Sequence, residues 1–255
     1  MGSTQPELWG IDSHSPIVSV ALNHAGARSG MTFSLAARDP ETGMFGIAIA
    51  TSAVAVGNRC PWVRAGIGAV TTQHRTDTRA GPIGLDLLSK GCTAQETVKV
   101  LATTNDFPQE RQFAAVDKEG RVAFFNGPEI ECINAGFAGD SCVSTGNFIA
   151  NTGVPEAMVN AYHSSKAPTF AARLLDATDA GLAAGGETKP IMSAALLIAH
   201  REGWPLVDLR VDWEEQPLTR LRSLWDFYEP HQERFVKQVL APSELTLLTD
   251  SPMNV

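Results

Sequence analysis

The sequence has no CxxC pair, no histidines spaced i, i+2 or i, i+4, no basic run, and no apolar stretch near the ~20 residues of a membrane-spanning helix. Each absence removes a class of function. Cys60, Cys92, Cys132 and Cys142 stand far apart, which suits free thiols in a reducing compartment better than a disulfide framework. The six histidines are as scattered, so no metal is expected. Twenty Lys and Arg against 28 Asp and Glu give a net charge of −8, without the footprint of a nucleic-acid or anionic-membrane binder. Glu7 and Asp12 precede the short "PIVSVAL" stretch where a signal peptide would be positive. There is no GxSxG, HExxH or Walker loop, and no GxGxxG between a strand and a helix. The expectation is a cytoplasmic homo-oligomer that acts on a small molecule, needs no cofactor, and has neither nucleic acid nor membrane as partner.

What the chain does have is well-patterned structure after residue 31. With 255 residues, 44% of them hydrophobic, it can bury a sizeable core unaided. "TFSLAARDPETGMFGIAIATS" reads as a hairpin, with Phe33, Leu35 and Ala37 on one face, a Pro-Glu-Thr-Gly turn, and a return strand alternating bulky Phe45, Ile47 and Ile49 with small residues. "VGNRCPWVRAG" reads as a loop and "GIGAVTTQ" as a third strand. "PIGLDLLSKG" and "TAQETVKVLATT" are helical, the second opening on a capping box of Thr93 and Glu96. "RQFAAVDKEGRVAFFNG" is a hairpin, and "AGDSCVSTGNFIAN" a weaker strand region. Two helices, two strands and an amphipathic helix over "PLTRLRSLWDFYEP" follow, before a polar tail. Hairpins alternating with helix pairs argue for antiparallel sheets with helices outside them, an α+β four-layer αββα sandwich. Residues 1–31 are expected to be an extension, 32–240 the domain and 241–255 a tail.

With the usual signatures absent, the threonine that opens the first strand stands out. A threonine hydroxyl is a weak nucleophile unless a base adjoins it, and a threonine at a chain terminus has its own α-amine for that purpose. Removal of Met31 after translation from that codon would expose Thr32, leaving residues 1–30 as an upstream-start artefact or a propeptide. Taken by itself, such a threonine is an ordinary β-former. However, "MTFSLAARDPETG", "AVGNRCPWVRAGIGAVTTQ", "STGNFIAN", "GGETKPIMSAALLI" and "VDLRVD", in that order, resemble the DUF1028 family, a group placed in the N-terminal nucleophile (Ntn) hydrolase superfamily.

The resemblance implies the αββα fold, with Thr32 as nucleophile. Ser34 lies two residues along on the same face, as a second nucleophile or a partner of the amine. Asn147, in the "GN" step, is placed to donate to a tetrahedral oxyanion. Ser52, Trp62 and Gln73 end the second strand, its loop and the third strand, where a pocket wall belongs. Arg38 shares the Thr32 face and is a candidate for holding a substrate carboxylate, as is Arg111. The chain departs from the family pattern at "GGETKPIMSAAL", where Glu187, Lys189 and Met192 replace an expected Gly-Gly-Asp, Arg-Gly and Gln. The function expected is cleavage of an amide bond in a small molecule through an acyl-enzyme on Thr32. The alternatives are an esterase or lactonase at the same site, or a non-catalytic binding or assembly protein.

Overall fold

The opening hairpin forms as β1 (Thr32–Arg38) and β2 (Phe45–Thr51), paired antiparallel from Thr32 opposite Thr51 to Arg38 opposite Phe45. Its turn is closed by the Gly43 N–H donating to the Asp39 carbonyl at 2.9 Å, with Gly43 at φ +73° as the turn requires. The computed structural model describes residues 31–245. The expected extension, apart from Met31, and the expected tail beyond residue 245 lie outside the described residues.

The second segment gives β3 (Pro61–Arg64) and β4 (Gly68–His74), then α1 (Ala80–Ser89), α2 (Ala94–Thr104), β5 (Arg111–Asp117) and β6 (Val122–Asn126). The capping box is present: Thr93 Oγ1 accepts from Glu96 N–H at 3.1 Å, and Glu96 accepts from Thr93 N–H at 2.8 Å. The weak strand region resolves into β7 (Asn134–Gly139) and β8 (Cys142–Asn147). Then come α3 (Val154–Ser164), α4 (Phe170–Ala183), β9 (Ser193–Ala199), β10 (Val207–Val211), α5 (Pro217–Tyr228) and α6 (Gln232–Leu240).

Two differences from the sequence reading stand out. The stretch read as a loop contains the short edge strand β3, and the chain after α5 forms α6 before it reaches a tail. β3 has four residues and opens on Pro61, too short to show alternation. The helix α6 has an apolar stripe of Phe235, Val236, Val239 and Leu240 but buries none of it, and it lies in the segment read as a polar tail.

The strands form two antiparallel sheets, ordered β10-β9-β2-β1-β8-β7 and β3-β4-β5-β6. Strand alternation divides the core into three. Phe33 and Leu35 pack with Met158, Leu174, Leu221 and Trp225 of α3, α4 and α5 on one outer face. Ala36, Ile47 and Ile49 meet Ala69, Ala114, Val116 and Phe124 between the sheets. Val70 and Phe113 pack with Leu85, Val98 and Leu101 of α1 and α2 on the other outer face. The small face of β2 is what lets α4 approach: a Cβ on Gly46 would lie 2.6 Å from Leu174 and 2.7 Å from Phe170. All four cysteines are free thiols.

Candidate functional site

One end of the space between the sheets is polar where the rest is apolar. Register places Asn134, Asn147, Thr32, Thr51 and Ser193 directly opposite one another across β7, β8, β1, β2 and β9. On the other sheet, Gln73, Gln112 and Asn126 line up across β4, β5 and β6. Parity turns both rows inward, because Thr32 alternates with Phe33 and Gln112 with Phe113, whose rings pack outward. All eight residues are buried.

The rows are stitched by side-chain amides. Gln73 Nε2 donates to Gln112 Oε1 at 2.8 Å and across to Thr145 Oγ1 at 3.1 Å. Asn147 Nδ2 donates to Gln112 Oε1 at 3.0 Å, and Gln112 Nε2 donates to Asn126 Oδ1 at 2.7 Å and to the Gly146 carbonyl at 3.0 Å. Two acceptors of this network, Gln73 Oε1 and Asn147 Oδ1, are buried without a partner among the described residues. Such atoms cost free energy unless a donor arrives. Directly after each of these amides the backbone turns left-handed, at His74 (φ 59°) and Phe148 (φ 52°), whose rings stack at 5.7 Å. Burial, above all, holds the His74 imidazole below its ordinary pKa.

Thr32 lies at the centre. Its Oγ1 donates to Thr51 Oγ1 at 3.3 Å, and the Thr51 hydroxyl donates to the Met31 carbonyl in a short bond. The loop from Gly186 to Met192 closes over this end of β1. Glu187 bridges to Ile149, just past β8, and its Oε2 accepts from the Ser52 N–H, just past β2, at 3.0 Å. Thr188 N–H donates to the Phe148 carbonyl at 3.0 Å, and its hydroxyl contacts Met31 Sδ at 3.4 Å. Since β1 runs between β2 and β8, Glu187 and Thr188 straddle the chain where Met31 joins Thr32. Glu187 is 8% exposed, and its Oε1 is without a partner among the described residues. Burial pushes its carboxyl up to about 8, against the pull of Ser52.

The family described as "Family of unknown function (DUF1028)" matches residues 32–221, from Thr32 into α5. The chain belongs to the DUF1028 family. The crystal structure of protein SPO2555 from Silicibacter pomeroyi, titled with the same family, is similar at a TM-score of 0.73 and 32% identity, over 78% of this chain and 86% of that one. No curated protein matches in sequence.

Of the residues singled out by sequence in this DUF1028 chain, Thr32, Asn147 and Gln73 fall in the polar end together. Ser52 adjoins it through its backbone. Ser34 lies one row deeper, opposite Ile49 and Thr145, and is 1% exposed. Three candidates are not brought to Thr32. Arg38 is at the opposite end of β1, six residues or about 20 Å away at the rise of a strand. Trp62 faces outward: a Cβ on Gly81 of α1 would lie 2.2 Å from its ring, and its Nε1 donates to the Arg59 carbonyl at 3.1 Å. Arg111 adjoins Gln112 in sequence, but alternation turns it to the other face. Sequence reasoning missed Thr51, Gln112 and the role of Glu187. Hairpin register alone points to Thr51, since the turn pairs it with Thr32. Gln112 has no local signal, because its importance comes from the sheet across from it. Among the described residues no group of His, Cys, Asp and Glu is arranged to hold a metal ion, and no helix is long and apolar enough to cross a membrane.

Proposed function

We propose that the protein is an Ntn-type hydrolase that cleaves an amide bond of a small molecule, with Thr32 as nucleophile once its amine is free. Two face-to-face sheets with helices outside both match the four-layer αββα sandwich of that superfamily. The observation that carries the reading is the placement of Thr32 Oγ1, buried at the start of a central strand and 3.3 Å from the Thr51 hydroxyl, at the one polar end of the inter-sheet space. Apart from this end, the space between the sheets is an apolar core.

In the reaction, Thr32 Oγ attacks the substrate carbonyl carbon while its proton passes to the α-amine. Asn147 Nδ2 spends one hydrogen on Gln112, and its second is available to the oxyanion. The amine returns the proton to the leaving nitrogen as the C–N bond breaks. Water, deprotonated by the same amine, then hydrolyses the ester on Thr32. While Thr32 is joined to Met31 its nitrogen is an amide and cannot serve as this base.

The test pairs intact mass with activity against small amides, for protein made from the full sequence and from a Met31 start. Turnover should track the fraction of chains that begin at Thr32. Thr32→Ala should fold and be inactive, and Thr32→Ser should keep part of the activity. Equal turnover by a demonstrably uncleaved chain would overturn the mechanism and return attention to Ser34.

A further inference from the structure

Glu187 is a carboxyl in a place where a carboxyl is costly. It is buried, no salt bridge reaches it among the described residues, and only one of its oxygens has a hydrogen-bond donor. An isolated buried carboxylate is expensive unless a partner or a proton compensates it. The groups packed around its loop do not do so. Lys189 is exposed, the Cys132 thiol accepts from Phe148 N–H at 3.2 Å, and His74 stacks on Phe148. What shifts Glu187 is burial and Ser52 alone, with no neighbouring charge contributing.

Its position is specific. Extending the registers of β1 by one residue sets Met31 opposite Ser52 and opposite Phe148. Glu187 holds the Ser52 amide and Thr188 holds the Phe148 carbonyl, so the loop closes around Met31 and not around Thr32 itself. Met31, 7% exposed, lies inside this loop, its Sδ 3.4 Å from the Thr188 hydroxyl, at the position directly before the Thr32 nitrogen. Three of the unpartnered polar atoms at this end, Glu187 Oε1, Gln73 Oε1 and Asn147 Oδ1, are acceptors; the donor Arg111 Nε is on the opposite face of β5. A ligand that completes the site must bring donors.

We infer that Glu187 is a specificity residue that recognises a primary ammonium group on the acyl side of the substrate, so the preferred ligands are amides of amino-substituted carboxylic acids. The inference rests on the proposed reading of the Thr32 end as the substrate site, but not on turnover. An ammonium places a charge and up to three donors against the free carboxylate oxygen. Glu187 then gives its proton to solvent as the ion pair forms.

The test is calorimetric. 4-Aminobutanamide and its methyl isostere pentanamide are titrated at pH 7 into full-length protein carrying Met31→Ala, which clears the side chain from inside the loop. The aminated amide should bind about 10-fold or more tightly than pentanamide, the scale of a close charge pair. Adding Glu187→Gln should reduce the preference to about twofold or less, by the same arithmetic. Should that variant fail to fold, the heat of binding to the Glu187 protein in buffers of different ionisation enthalpy still decides, since close to one proton should be released. Equal binding of the two amides, binding of neither, a preference that survives Glu187→Gln, or no proton release would each overturn the assignment. If Glu187 instead serves the α-amine of Thr32, its substitution would change turnover of both amides alike and leave no preference. Because binding needs no catalysis, discrimination by the full-length protein, beside a Thr32-terminated protein that turns over neither amide, would refute the hydrolase reading and not this one.

Discussion

Asn147 is tied to Gln112 through one N–H, so its amide is held in place before any substrate arrives, and preorganised donors of that kind carry large catalytic effects. Asn147→Ala should lower kcat by about 10²-fold or more with the fold intact. Steady-state kinetics beside a far-ultraviolet spectrum check this, and an unchanged kcat would remove Asn147 from the site. Glu187 leads to a prediction about stability. Its folded pKa of about 8 lies above the ordinary 4.5, so the native state binds more protons than the unfolded chain between those values. Stability from this group is therefore greatest below pH 4.5, declines as pH rises, and levels off above about 8. Glu187→Gln should abolish that decline, so that at pH 9 the variant exceeds the wild type by up to a few kcal/mol. Denaturant unfolding from pH 5 to pH 9 would show it, and parallel curves for the two proteins would contradict it. Thr32 and Asn147 were legible through the family resemblance, since by pattern alone one is an ordinary β-former and the other falls in a weak strand region, whereas Gln73 was legible at the end of a well-patterned strand. Gln112 and Glu187 were not, because a residue's value here comes from what lies across the sheet gap or beyond the strand ends.

At the level of elements, hairpins and capped helices were readable because their determinants are local. The Thr93 cap, the Gly43 turn and the Phe170–Leu174–Thr178–Gly181 face of α4 all lie within one turn or a few residues of what they organise. β3 was not readable, because its place depends on pairing with β4 and on α1 resting against Trp62. That contact leaves no room for a side chain at Gly81. Gly81→Ala should force the Trp62 ring aside and cost about 1–3 kcal/mol, the range for overpacking, despite alanine's better helix propensity. Thr93→Ala should cost α2 about 1 kcal/mol through loss of its cap. Thermal melts of the two variants would rank them, and a Gly81→Ala protein as stable as the wild type would mean that the Trp62 ring moves freely.

Across the whole molecule, the strand order could not be read from sequence, because it sets β1 between its hairpin partner and β8, more than a hundred residues away. That order gives the sheet two unlike ends. One end of β1 holds Thr32 among unpartnered acceptors. The other holds Asp39, 2% exposed at its side chain, which accepts from Arg173 of α4 at 3.0 Å and from Thr42 at 2.6 Å. The Arg173 guanidinium also lies over the rings of Tyr162 and Phe170, at 5.8 and 5.9 Å. The Asp39 carboxylate at this end is paired and anchors the hairpin turn to the helix layer, although Arg173 Nε and the Tyr162 hydroxyl beside it are buried without a hydrogen-bond partner among the described residues, as are Gln73 Oε1 and Asn147 Oδ1 at the Thr32 end. Removing one partner of a buried pair leaves the other charge uncompensated, so Arg173→Met should destabilise the fold by about 3–5 kcal/mol, less whatever screening its partial exposure supplies. The two ends are about 20 Å apart at the rise of a strand, and the intervening side chains are rigid core, so kcat per folded molecule should not change. Unfolding in guanidinium together with kinetics on the folded fraction separates the two effects. A variant as stable as the wild type would show that Asp39 needs no counter-ion, and a loss of kcat in the folded fraction would mean that the ends of β1 communicate through the sheet.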